Sequence, residues 1–236
     1  MTSIGVMQPY FIPYFGYFQL IQKSGTFVIH DDAQYVKQSW INRNQLFIGQ
    51  AVGYYTIPVS SHSHDSKINT LKLSSQHKKH VQSMFSRFEN SYRTAPFFEE
   101  AKTIFAGVLK IESTNFVEYI VRGLSVVATA LNLDFKPIMS SSLEIEPSLR
   151  GHQKVIAIAK ELKADSYINL PGGRSLYSPR EFRKKDLQLF FIEPNLPDFD
   201  VGNKSRIPRM SIIDRIAYCG LDEVCRTVSS ASLARE

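Results

Sequence analysis

The sequence predicts an α/β fold: a mostly parallel sheet with flanking helices and a helical middle segment. Three observations predict it. Short apolar runs read as strands at Ser3 to Met7, Phe27 to Ile29, Ala164 to Asn169 and Leu187 to Ile192. Helical stripes separate them, and strands that alternate with helices argue for parallel pairing. From Gln76 to Leu131 the helical period is nearly continuous, which makes that stretch a helical insertion of about 76–131 in a single domain spanning 1–236.

Each element has a local cause. The first strand ends at Gln8-Pro9, because proline removes a backbone donor. Tyr14, Tyr17, Phe18 and Ile21 then form a helical stripe that Gly25 stops before the second strand begins at Phe27. Leu46-Phe47-Ile48 and Tyr54 to Val59 read as a hairpin-like pair around Gly49 and Gly53, followed by a Ser60 to Ser66 loop. Ile68 to Leu73 alternates and reads as a half-exposed strand. Val81, Met84, Phe85 and Phe88 open the helical segment, with breaks at Ala95-Pro96 and Ser113-Thr114. Leu149 to Leu162 reads as a later helix, and the strand at Ala164 to Asn169 runs into a Pro171-Gly172-Gly173 turn.

Composition narrows the class. The chain has 236 residues, 43% hydrophobic and 21% charged, as expected for an ordinary soluble globular protein with a sizeable core. No apolar run approaches the roughly 18 residues of a membrane span, and the N-terminus does not read as a signal peptide, so a cytoplasmic location is expected. Cys219 and Cys225 have neither disulfide-framework nor zinc spacing, and no metal is expected. The net charge of +6 gathers at His77-Lys78-Lys79-His80, Arg180-Arg183-Lys184-Lys185 and Lys204-Arg206-Arg209. Without a long basic block or an aromatic-spaced RNA motif, this pattern disfavours nucleic acid and suits an anionic nucleotide sugar or an acidic carrier protein.

The densest chemistry lies in the first 44 residues. They hold four of the eleven tyrosines and the single tryptophan, interleaved with Gln, Asp, Asn and Arg. A core would favour aliphatic side chains, since every buried hydroxyl or amide needs a partner. In an open parallel sheet ligands bind beyond the carboxyl ends of the strands, so Gln8 to Pro13 and His30 to Tyr35 are expected to line one cleft. The Gly172-Gly173 turn with Arg174 and Tyr177 is a second candidate, able to bring backbone amides and a guanidinium to an anion. The chain lacks P-loop and dinucleotide glycine spacing, which argues against kinase, GTPase and Rossmann oxidoreductase readings, and no cofactor is expected.

Gln8-Pro9-Tyr10, Pro13-Tyr14, Gly16-Tyr17-Phe18, Asp32 with Gln34-Tyr35, Trp40 with Asn42-Arg43-Asn44, and Asn169-Leu170-Pro171-Gly172-Gly173 with Leu176-Tyr177 resemble the signature blocks of the WbqC-like family. The resemblance implies an association with bacterial surface-polysaccharide (O-antigen) synthesis and a glycine-transfer role. Two function classes follow. One is an acyl or aminoacyl transferase acting on a nucleotide-linked amino sugar, with an acyl or peptidyl carrier protein as donor. The other is a nucleotide-sugar binding module without chemistry. A nucleotidyltransferase-like enzyme is a variant of the first, weakened because no His-x-Gly-His follows the first strand.

Transfer needs a base, oxyanion donors and an aromatic floor. Asp32, the aspartate inside the family block, is expected as the base, with His152 at a helix start as second choice. Its neighbour His30 reads as a structural histidine. Gln8, Gln34, Asn42, Arg43 and Asn44 are the expected polar contacts, and Tyr10, Tyr14, Tyr35 and Trp40 the floor. Desolvation among these rings is expected to raise the Asp32 pKa. Exposed aromatics are also compatible with a homodimer.

Overall fold

The computed structural model describes residues 2–193 and 210–236; the Lys204-Arg206-Arg209 cluster therefore lies outside the described residues. In chain order the elements are β1 (Ser3–Met7), α1 (Phe15–Lys23), β2 (Thr26–Ile29), β3 (Arg43–Ile48), β4 (Ala51–Thr56), α2 (His77–Tyr92), α3 (Phe98–Leu109), α4 (Phe116–Ala130), β5 (Ile138–Met139), α5 (Gly151–Glu161), β6 (Ser166–Asn169), α6 (Pro179–Arg183), β7 (Gln188–Glu193), α7 (Ile212–Cys219), α8 (Leu221–Ser229) and β8 (Ser232–Arg235).

The main sheet runs β5-β2-β1-β6-β7-β8. Its first five members pair in parallel and β8 pairs antiparallel with β7. This is the expected mixed α/β class with a mostly parallel sheet. The chain moves from β1 to β2 and β5 on one side, then returns to place β6 and β7 on the other. The strand order thus reverses between β1 and β6, and such a reversal opens a crevice at the strand ends.

Alternation of side chains along the strands feeds two cores. On one face Ile4, Val6, Val28, Tyr167, Leu189 and Phe191 meet Val155, Ile158 and Ala159 of α5 and Phe182 of α6. On the other, Phe27, Ile29 and Ile168 meet Tyr17, Phe18 and Ile21 of α1. That second core continues through the β3–β4 hairpin into α2, α3, α4 and α7, so the helical segment shares apolar packing with the sheet. Gly5 is needed in β1 because a Cβ there would lie 2.3 Å from Ser24 Oγ.

The connection from β2 to β5 holds the hairpin as well as the three helices. The hairpin turns at Gly49, whose φ of 64° is in the left-handed region that glycine tolerates. Asn115 caps α4 by accepting from the Glu118 amide at 2.9 Å. Ile68 to Leu73 is not a strand. Ile68–Thr70 forms a 3₁₀ turn, with Ile68 and Leu71 buried, because the Asn69 amide donates to the Asp31 carbonyl at 2.9 Å and the Ile68 amide to the Ala33 carbonyl at 2.9 Å. Pro171 to Leu176 is likewise a 3₁₀ helix rather than a tight turn.

Candidate functional site

A cavity of about 420 Å³ opens where the strand order reverses. Met7 and Gln8 at the end of β1, His30 after β2, and Asn169 and Leu170 at the end of β6 line it. Tyr10, Tyr14, Trp40 and Tyr177 add four aromatic rings to its wall, and Val155 of α5 contributes from the opposite face of the sheet. Its size is in the range of small-molecule sites.

The loop after β1 is held in an uncommon conformation. Ile12, a β-branched residue, has a φ of 37°, which is sterically costly and persists only where the surroundings enforce it. Asn44 Nδ2 donates to the carbonyls of Phe11 and Ile12, both at 3.0 Å, and Ser211 Oγ donates to the Ile12 carbonyl at 2.8 Å. Tyr17, fully buried, donates its hydroxyl to the Gln8 carbonyl at 2.9 Å. The Phe11 amide donates to the Trp40 carbonyl at 3.2 Å. Gly16 leaves room for Tyr14, whose ring carbon would be 2.6 Å from a Cβ at that position.

The far wall is the 3₁₀ helix after β6. A Cβ on Gly173 would stand 2.3 Å from Asn169 Nδ2, so the glycine makes space for that amide. Gly172 has nothing within 4 Å of a built Cβ. Tyr177 holds its place by a 3.3 Å hydroxyl contact with Tyr167 and edge contacts to the Tyr167 and Phe182 rings. Arg174, expected to hold an anion, is spanned by Glu193 at 3.5 Å and Glu236 at 3.1 Å instead.

Behind His30 lies a charged cluster. Asp31 is buried and accepts from the Ser141 amide at 2.9 Å, Ser141 Oγ at 2.6 Å and Ser140 Oγ at 3.1 Å, tying β2 to the segment after β5. Asp32 accepts from Ser140 Oγ and from Lys154 Nζ, each at 2.5 Å. Burial alone would raise the Asp32 pKa, but the hydrogen bonds from Lys154 and Ser140 more than offset it and leave the carboxyl below its ordinary value. The expected upward shift is therefore reversed. Asp32 Oδ1 is 3.7 Å from His30 Nε2. Burial, with the Lys154 charge, lowers the His30 pKa against the opposing pull of Asp32 and Asp31.

Among the residues expected at the site, Gln8, Tyr10, Tyr14, Trp40, Asn44, Gly172, Gly173 and Tyr177 line the cavity; Asp32 sits beside it, behind His30. The others serve elsewhere. Gln34 is exposed and donates to the His64 carbonyl at 3.2 Å. Tyr35 is buried against His62 and Phe116. Asn42 is buried and donates to the Ile57 carbonyl at 3.1 Å. Arg43 lies 4.0 Å over the Tyr54 ring, a cation–π contact. His152, in the first turn of α5, is outside the cavity lining.

His30 and Asn169, not among the expected site residues, line the cavity, and Lys154, likewise not expected, pairs with Asp32. Lys154 is buried, 6% exposed, at a place in α5 next to Val155 and Ile156. A lysine flanking an apolar stripe ordinarily reads as solvated, and only its distant partner Asp32 marks it otherwise.

The pattern of the WbqC-like protein family matches residues 8–225. An uncharacterized protein of Mycobacterium tuberculosis, Rv1507c, is 25% identical over 226 residues, covering 94% of this chain and 96% of that protein. No solved structure matches the chain. Among the described residues no helix is long and apolar enough to cross a membrane, and no group of three or more His, Cys, Asp or Glu side chains is arranged to hold a metal.

Proposed function

Because the chain belongs to the WbqC-like protein family, we propose that it is a transferase that places a small acyl or aminoacyl group, glycine in the first instance, on the amine of a nucleotide-linked amino sugar used in bacterial surface-polysaccharide assembly. One observation carries this reading: an imidazole, His30, lines the cavity at the strand-order reversal, and its lowered pKa keeps it neutral near pH 7. The base is thus His30 rather than Asp32, whose carboxylate is already engaged by Lys154 and Ser140.

In the proposed reaction the sugar amine attacks the carbonyl carbon of an acyl thioester. The C–N bond forms, the C–S bond breaks, and the proton lost by the amine passes to His30 and from it to the departing thiolate. Tyr10, Trp40 and Tyr177 give flat apolar surfaces for a base or sugar ring. In this reading the arm of a carrier-bound donor passes over Leu176, which lines the cavity and is 69% exposed.

A binding module without chemistry is the second reading, favoured by the absence of an unpaired carboxylate at the cavity among the described residues. The two part in one experiment. Purified protein is incubated with a nucleotide-linked amino sugar and a glycyl thioester, and the sugar is read by mass spectrometry. Transfer that is lost in His30→Gln supports the enzyme; tight binding of the sugar nucleotide with no mass gain supports the module.

A further inference from the structure

The cavity has an electrical character that the proposed reaction alone does not require. Among the described residues none of the lining side chains carries a permanent charge: the titratable ones are His30 and three tyrosines. Three cations among the described residues are otherwise engaged, Lys154 by Asp32, Arg174 by Glu193 and Glu236, and Arg43 by the Tyr54 ring. An anion drawn inside would lose its hydration without gaining a counter-charge from the described residues.

The lining amides differ among themselves. Asn44 spends both ends of its amide on the protein, donating to Phe11 and Ile12 and accepting from the Gln45 amide at 2.8 Å. Asn169 is 5% exposed, and its Oδ1 accepts from the Leu170 amide at 2.7 Å, while its Nδ2 has no hydrogen-bond partner among the described residues. The side-chain amide of Gln8 has none there either, and both residues line the cavity. Asn169 Nδ2 is not one of the fully buried polar atoms left without a partner; it opens to the cavity, where a ligand group can accept from it.

Resting on the transferase reading of this same cavity, we infer that the group it admits is electrically neutral and presents an adjacent amide N–H and C=O, which pair with Gln8 and Asn169 while the aromatic rings cover its faces. The phosphates of a nucleotide-linked substrate then stay outside the cavity. Two parts of such a substrate have this chemistry, the edge of a pyrimidine base and the acetamido group of an amino sugar.

Calorimetric titration with uridine, N-acetylglucosamine and inorganic pyrophosphate, each at low and high salt, tests the inference. Binding of N-acetylglucosamine assigns the cavity to the sugar, as the proposed role of His30 requires. Binding of uridine assigns it to the base, which keeps the neutral cavity but puts the sugar amine out of reach of His30. In either case affinity should barely change with salt. Asn169→Asp keeps the acceptor for the Leu170 amide but replaces the free donor with a charge, and Gln8→Glu adds a charge of similar shape. Each should lower affinity by about tenfold or more. Asn169→Asp also buries a charge and lowers the thermal midpoint, so the half-buried Gln8→Glu is the variant expected to keep a midpoint near that of the parent protein. Pyrophosphate binding with steep salt dependence, failure of both neutral probes, or unchanged affinity in both variants overturns the inference. Because these are binding measurements, they are separate from the mass-spectrometric test: absence of transfer sinks the transferase while leaving the neutral cavity standing.

Discussion

Lys154 Nζ lies 2.5 Å from Asp32 Oδ2, and the two side chains are only 8% and 19% exposed. The pair joins α5 to the segment after β2 across the edge of the cavity. Such a pair need not stabilise the fold more than apolar residues would, but breaking it leaves an uncompensated charge out of water. Asp32→Asn should therefore cost about 3 kcal/mol in chemical denaturation. The double variant Asp32→Asn with Lys154→Met should be markedly more stable than Asp32→Asn alone. Equal stability of the two would mean that Lys154 reaches water once Asp32 is neutral.

His30 gives a pH prediction with a definite sign. Its folded pKa is lowered, so between that value and the ordinary imidazole value of about 6.5 the unfolded chain binds more protons. The contribution of His30 to stability is complete above about pH 6.5 and is lost as pH falls through the folded pKa. An NMR titration of the ring should give a midpoint below 6.5, and His30→Gln should flatten the stability decline over that window. A midpoint above 6.5 would remove His30 as a neutral base at pH 7.

The loop after β1 depends on one amide. Asn44→Asp retains the acceptor for the Gln45 amide but loses both donors to Phe11 and Ile12. Unfolding should become easier by about 2 kcal/mol, since two buried carbonyls lose a partner. Hydrogen exchange should quicken at the Phe11 amide, which bonds Trp40. If exchange there is unaltered, Ser211 alone suffices to hold Ile12 in place.

The two adjacent glycines of the 3₁₀ helix should respond differently. Gly172→Ala meets no protein atom within 4 Å and should leave stability and the Asn169 amide undisturbed. Gly173→Ala places a methyl 2.3 Å from Asn169 Nδ2, which must move, so ligand affinity should fall by about tenfold or more. Equal behaviour in the two variants would separate Asn169 from ligand recognition.

Much of the sheet was legible because local signals and tertiary context agreed. Pro9, Gly25 and the alternation of Ile4 and Val6 with Gly5 and Met7 define β1, α1 and β2 without help from distant residues. Ile68 to Leu73 is not the expected alternating strand, because the buried residues Ile68 and Leu71 stand at the i, i+3 spacing of a 3₁₀ turn, which backbone bonds to Asp31 and Ala33 select. β5 has two residues and is a strand only because it pairs with Val28 and Ile29. In the site, the aromatic block and the Gly172-Gly173 turn were readable as clusters. The engagement of Asp32 was not, since it depends on Lys154, 122 residues further along the chain.

In the proposed reaction the cavity between the ends of β1 and β6 binds the acceptor and His30 takes its proton. The most direct measurement is single-turnover transfer from a glycyl thioester to a nucleotide-linked amino sugar, run in parallel with equilibrium binding of the sugar nucleotide, in the parent protein and in His30→Gln. The account predicts transfer by the parent at neutral pH and a loss of about 100-fold or more in His30→Gln, with sugar-nucleotide affinity within about threefold of the parent. Transfer by His30→Gln at the parental rate would contradict it, as would a parent protein that binds the sugar nucleotide and transfers nothing.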